Sequence, residues 1–182
     1  MSIQVSNLVH PFINLSTAYP IAITAEKNKA MVVTGTNGSG KTTFLKLLLK
    51  ELQPKRGKIT VDGDIAYLGT KNGLKPQILL RQQLPHFLKS QVAFPWPQFL
   101  NMDYQDLSSG QQRLVALWLV LQTPKSIILL DEPFAHLDVN GITLACAWLN
   151  AQIDLQKTIV FTHHQLEGLN QISCLQVLDL NQ

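Results

Sequence analysis

Charge is scarce in this chain: 15% of its 182 residues are charged, against 46% hydrophobic. That balance excludes a disordered, self-repelling segment, which would hold too little apolar surface to collapse. Cysteine occurs only twice, at Cys146 and Cys174, far apart and without metal-ligand spacing. A disulfide framework or a cysteine zinc site is thereby excluded, and the expectation is two free, buried thiols in a reducing compartment. No apolar run approaches the roughly 18 residues that cross a bilayer. Ser2-Ile3-Gln4-Val5 also lacks the basic start and apolar core of a secretory signal. Any membrane role is therefore expected to pass through a partner. The net charge of +3 is mild. Lys46, Lys50, Lys55, Arg56 and Lys58 read as a solvated helix end and turn, and no nucleic-acid partner is expected. Internal repeats and low-complexity stretches are absent from the sequence, and its length suits one domain, residues 1–182, with a sizeable core.

What the chain does contain is a complete phosphate-binding pattern, Gly35-Thr36-Asn37-Gly38-Ser39-Gly40-Lys41-Thr42, followed by Thr43. It follows the apolar run Met31-Val32-Val33 and opens the helix-favouring stretch Phe44-Leu45-Lys46-Leu47-Leu48-Leu49. This strand-loop-helix setting is the context in which the pattern carries meaning. Glycines let backbone N–H groups approach phosphate oxygens, and the following helix turns its positive end towards them. Lys41 then offers a point charge to the β- and γ-phosphates, while the Thr42 hydroxyl can ligate Mg²⁺.

The rest of the chain alternates strand and helix signals. Strands are predicted at 3–9, 21–24, 31–34, 58–61, 65–68, 127–130, 158–162 and 175–180. Helices are predicted at about 41–52, 109–121 and 139–152. Asp62-Gly63 reads as a tight turn. Residues 74–106 hold Pro76, Pro85, Pro95 and Pro97 with Gln82, Gln83, His86 and aromatics between them, and read as a compact, irregularly helical subdomain. Phe94-Pro95-Trp96-Pro97 is read either as a partner-contact loop or as a locally packed turn. Strands alternating with helices around a phosphate loop predict an α/β domain with a mostly parallel core sheet.

Ile127-Ile128-Leu129-Leu130-Asp131-Glu132 places two carboxylates at the end of a buried strand. The carboxyl ends of such strands open onto the crevice where nucleotides sit. Asp131 is the candidate for holding Mg²⁺, and Glu132 for polarising the attacking water. Between the two motifs lies Leu107-Ser108-Ser109-Gly110-Gln111-Gln112. The order of phosphate loop, L-S-x-G-Q and apolar strand ending Asp-Glu resembles the ATP-binding cassette (ABC) ATPases, and the likeness runs from end to end.

That resemblance implies a P-loop NTPase of the ABC type, with an N-terminal antiparallel β subdomain and the signature motif at 107–111 closing the helical subdomain. It implies a homodimer that buries ATP between Lys41 of one copy and Ser108, Ser109, Gly110 and Gln111 of the other. Asp138, in Ala135-His136-Leu137-Asp138, matches the loop that faces the partner copy, with His136 a substitution without catalytic role. Thr162-His163-His164 matches the segment whose histidine contacts the γ-phosphate; the spacing from Glu132 and the following Gln165-Leu166-Glu167 favour His164 over His163. Phe12, with Tyr19 in reserve, is the candidate for stacking on adenine. Where family members carry a glutamine after the strand at 65–68, this chain reads Gly69-Thr70-Lys71; Thr70 is too short to reach as glutamine does.

Tyr67-Leu68-Gly69-Thr70-Lys71-Asn72-Gly73-Leu74-Lys75-Pro76 is similar to a segment of the ATPase subunits of the cytochrome c maturation haem exporter. So are Leu107 to Leu117, Asp131-Glu132-Pro133-Phe134 and Leu137-Asp138-Val139-Asn140-Gly141. This narrower resemblance implies an ATPase driving an integral membrane subunit of that system. It implies a place at the cytoplasmic face of the inner membrane, or the matrix side of the mitochondrial inner membrane if organelle-encoded. Two alternatives stay open: another ABC transporter with different cargo, and an ATP-dependent clamp that does not hydrolyse.

Overall fold

The computed structural model describes residues 2–13, 20–71, 73–74, 77–78, 80–83, 95–164 and 167–181. Two sheets carry the fold. Strands β1 (Ser2–Val9), β2 (Ile21–Ala25) and β4 (Arg56–Asp62) form an antiparallel sheet in the order β2-β1-β4. Strands β3 (Ala30–Thr34), β5 (Ile65–Leu68), β6 (Ile127–Leu130), β7 (Thr158–Thr162) and β8 (Leu175–Asp179) form the second, in the order β5-β6-β7-β3-β8. Every pairing in this second sheet is parallel.

The parallel strands lack polar alternation because both of their faces are covered. Ala30 and Val32 of β3, Ile128 and Leu130 of β6, and Ile159 and Phe161 of β7 point into one core. That core is closed by helices α3 (Ser109–Leu121) and α4 (Val139–Asp154). Met31, Val33, Ile127, Leu129 and Val160 point the opposite way, against helix α1 (Lys41–Leu48) and the antiparallel sheet. The short helix α2 (Leu80–Gln83) and two 3₁₀ turns, Pro97–Asn101 and Tyr104–Asp106, are what is described of the predicted helical subdomain. The remainder of that prediction, including Pro85, His86 and Phe94, lies outside the described residues, as does Tyr19.

Three expectations need correction. Helix α1 stops at Leu48 rather than near residue 52, because Lys50 takes φ 61 and closes the end with Lys50 N–H to Leu47 O (3.1 Å) and Glu51 N–H to Lys46 O (2.9 Å). This paired closure normally uses glycine at the left-handed position, so a lysine there gave no signal. Asp62-Gly63, expected as a tight turn, is instead the end of β4 and a bend that passes the chain from the antiparallel sheet into the parallel one. Of the thiols, Cys146 is buried as expected but Cys174 is exposed.

Phe161 is fully buried and meets Phe134 edge-on at 5.6 Å between ring centroids. Phe161→Ala should cost about 3–5 kcal/mol of unfolding free energy, the range for emptying an aromatic site in a packed core. Denaturant unfolding checks this; a loss below about 1 kcal/mol, no more than an Ile→Val trim in a core costs, would mean the core collapses freely around the gap.

Candidate functional site

In a parallel sheet the strand ends align, and here β3, β5, β6 and β7 deliver their carboxyl ends to one place. Val33 lies beside Thr162, Leu130 beside Phe161 and Leu68 beside Leu130. Leu68 and Val33 extend the ladder past the strand ends by accepting from Asp131 N–H (2.8 Å) and His163 N–H (3.1 Å).

The phosphate loop joins β3 to α1 through positions that only glycine fills. A Cβ on Gly40, at φ +98, would lie 2.4 Å from the Phe12 carbonyl oxygen and 2.7 Å from the Ile13 α-carbon. A Cβ on Gly35, at φ +147, would lie 2.4 Å from the Ser39 hydroxyl, which is itself buried without a hydrogen-bond partner. Helix α1 begins with no side-chain cap and no acidic residue in its first turn. Its first N–H groups are thus left to an incoming anion. Lys41 is 6% exposed, and its ammonium donates to the carbonyls of Gly35 (2.7 Å) and Thr36 (3.1 Å). The cleft over the loop, about 310 Å³, is lined by Phe12, Asn37, Gly38, Gly40, Lys41, Thr42, Thr43 and Glu132. Phe12 is 71% exposed, with its backbone N–H held by His10 Nδ1 at 3.3 Å. A free ring face beside the loop suits the stacking role expected of it.

Asp131 is 1% exposed, and both of its oxygens are engaged. Oδ2 accepts from the Thr42 hydroxyl (2.9 Å) and Oδ1 from the Thr162 hydroxyl (2.7 Å). Thr42 and Asp131 therefore sit together as hard oxygen donors, the set that suits Mg²⁺. Among the described residues no group of three or more His, Cys, Asp or Glu side chains could hold a metal by itself. Glu132 stands next in the chain, lining the phosphate cleft and also a second cleft behind it.

The two histidines separate cleanly. His164 is exposed, whereas His163 is half-buried, packs edge-on against Phe134 (5.5 Å) and lies within range of the Lys41 charge. Burial first, then His164 and Lys41, push the His163 pKa down from 6.5 to about 4. His163 directly follows β7 and packs on the Phe134 side of the sheet, while His164, preferred from spacing, lies exposed beside it.

The Ser109–Leu121 helix opens with a reciprocal cap: Ser108 Oγ accepts from Gln111 N–H (3.2 Å), and Gln111 Oε1 accepts from Ser108 N–H (2.9 Å). The Ser108 O–H proton remains available to donate. Gly110 presses against the His136 carbonyl, where a Cβ would come within 2.7 Å. Asp138 is exposed and caps α4, accepting from Gly141 N–H at 2.7 Å. Thr70, Ser109, Gln112, Arg113, Asp131, Glu132, Ala135 and His136 line the second cleft, about 270 Å³ in volume.

Three residues of this region had no assigned role in the sequence. Thr162 braces Asp131 and receives the Glu132 N–H (2.8 Å). Asn181, after β8, accepts from the Thr36 N–H and hydroxyl, both at 3.1 Å, and steadies the start of the phosphate loop. Arg113 is a buried cation beneath Asp131 and Glu132. Only the last left a trace in the sequence, as a charge among apolar positions of a helix.

Because the folded chain holds His163 neutral, the unfolded chain binds its proton more tightly. The stability this contributes is complete above about pH 6.5 and lost as pH falls towards 4. Imidazole resonances of His163 should therefore stay those of the neutral ring at pH 6.5 and shift only as pH nears about 4; a titration centred on 6.5 would contradict the burial argument.

A family model described as ABC transporter matches residues 19–135. The cytochrome c biogenesis ATP-binding export protein CcmA of Xanthomonas axonopodis pv. citri is 33% identical over 157 residues, covering 74% of this chain and 73% of that protein. Its namesake from Salmonella typhi is 30% identical over 166 residues, covering 80% of each. Among solved structures, a dimeric ATP-binding cassette in a post-hydrolysis state, bound to ADP and Pi, superposes with a TM-score of 0.75 at 19% identity. It covers 98% of this chain and 95% of that one. Motif order, sheet topology and these likenesses agree: the chain belongs to the ABC transporter family, with the fold of its ATPase cassettes and the CcmA proteins among its relatives.

Proposed function

We propose that this chain is the ATP-hydrolysing subunit of a transporter complex serving cytochrome c biogenesis, with haem as the exported cargo. The observation that carries the hydrolytic reading is Asp131 held between the Thr42 and Thr162 hydroxyls, with Glu132 beside it at the mouth of the phosphate cleft. In this reading the loop amides from Gly38 to Thr43 and Lys41 receive the β- and γ-phosphates. Thr42 and Asp131 would hold Mg²⁺, which when bound neutralises phosphate charge. Glu132 orients and deprotonates the attacking water, and the neutral ring of His163 meets the γ-phosphate. Phe12 stacks on the adenine.

The second half of the site comes from another copy. Its Ser108 hydroxyl proton and the N–H groups of Ser109 and Gly110 lie at the start of the signature helix. Each charge-assisted bond to the γ-phosphate is worth roughly 1.5–3 kcal/mol. Asp138, exposed at the start of α4, belongs to the facing surface in this reading. Losing the γ-phosphate removes those bonds, so hydrolysis reopens the pair and drives the membrane partner.

Among the described residues no helix is long and apolar enough to cross a membrane. Work on a membrane then requires a separate integral subunit, here assigned to the cytochrome c maturation system on the cytoplasmic side of the inner membrane. Both relatives quoted are bacterial, which gives the organellar variant no support. The clamp alternative draws on Thr70 alone; Glu132 lining the phosphate cleft argues for turnover.

Purified protein should hydrolyse MgATP. Glu132→Gln should lower turnover by about 10²–10⁴-fold, the usual contribution of a general base, while ATP accumulates in a dimer detectable by size-exclusion chromatography with light scattering. An inactive wild type whose oligomeric state ignores ATP would reject the motor. Co-purification with a membrane protein unrelated to cytochrome c maturation would redirect the cargo.

A further inference from the structure

Arg113 is 3% exposed, and three backbone carbonyls accept from its guanidinium. Nη1 donates to the Gly69 oxygen at 2.9 Å; Nη2 donates to the Asp131 oxygen and, at 3.0 Å, to the Glu132 oxygen. Three carbonyls from two separate segments thus converge on one planar fork, a geometry that an ammonium cannot reproduce.

The segment it grips is strained. Glu132 takes φ 50, a conformation that residues with side chains rarely adopt without support. Its N–H is held by Thr162 Oγ1 (2.8 Å), and its carbonyl accepts from Arg113 and from Ala135 N–H (3.1 Å). With both ends of the peptide pinned, only the Glu132 side chain is left to move. The third contact, Gly69, opens the loop Gly69-Thr70-Lys71 after β5, and Thr70 lines the same cleft as Glu132 and Arg113.

We propose that Arg113 is a positioning residue: its guanidinium holds the Glu132 backbone in its left-handed conformation and ties it to the loop at 69–71. Displacement of that loop then loosens the carboxylate that activates water, without touching the nucleotide. The inference rests on the hydrolysis reading above and extends it to how turnover is gated.

The test compares wild type, Arg113→Lys and Arg113→Ala in steady-state MgATP hydrolysis, in binding of a non-hydrolysable ATP analogue, and in the presence of low millimolar guanidinium. Arg113→Lys should keep the analogue's affinity within about twofold while kcat falls about 10–100-fold, as expected when a reacting group shifts by about an ångström. Guanidinium should restore part of the kcat of Arg113→Ala and leave the wild type unchanged. An active wild type with undiminished kcat in Arg113→Lys overturns the inference alone. So does a fall of kcat and affinity together with no rescue, which marks Arg113 as a structural filler. A wild type without turnover rejects the hydrolysis reading and this inference with it.

Discussion

A carboxylate that is 1% exposed survives in the interior only if its oxygens are satisfied, and the site is organised around how Asp131 achieves this. One oxygen is met by Thr42, at the head of the helix after β3, and the other by Thr162, at the end of β7. Asp131 itself directly follows β6. The bonds therefore exist only when three parallel strands finish at the same height, which their register provides. A slip of one residue would turn Asp131 to the other face of the sheet. The fully buried strands, with alternate side chains locked into two different cores, make such a slip costly.

From this point the chemistry spreads outward by adjacency. The residue before Asp131 seals a core; the residue after it enters the cleft. Glu132 is held by Thr162 on its N–H side and by Arg113 on its carbonyl side. His163 follows Thr162 directly, and its burial keeps the ring neutral beside Lys41. Gly40 lets the Phe12–Ile13 segment touch the phosphate loop, which sets the exposed Phe12 ring beside it. The same few peptide units thus join the packed cores to the residues proposed for cation binding and water activation.

Much of this was legible in the residues because it is local. The helix at 109–121 and the strands at 127–130 and 158–162 fall where periodicity and capping put them. The phosphate loop announces itself, since glycine spacing and a lysine are needed within eight consecutive positions. Helix ends were harder. Lys50 and Gln156 adopt the left-handed closure that glycine usually marks, so α1 ran shorter and α4 longer than patterning suggested. Thr162 and Asn181 act through partners more than thirty and one hundred and forty positions away, a relation that no window of sequence contains. Spacing ranked His164 above His163 but carried nothing about burial, and the fold half-buries His163 while it exposes His164.

The central claim is that the corner formed by Lys41, Thr42, Asp131 and Glu132 is half of a triphosphate site, completed by the signature helix of a second copy. A crystal structure with Mg²⁺ and a non-hydrolysable ATP analogue tests it most directly. The account predicts a two-fold dimer with the γ-phosphate lying between Lys41 of one copy and the Ser108–Gly110 helix start of the other. Nucleotide bound with that helix start facing solvent in every assembly, or phosphates seated away from the loop at 35–43, would contradict it.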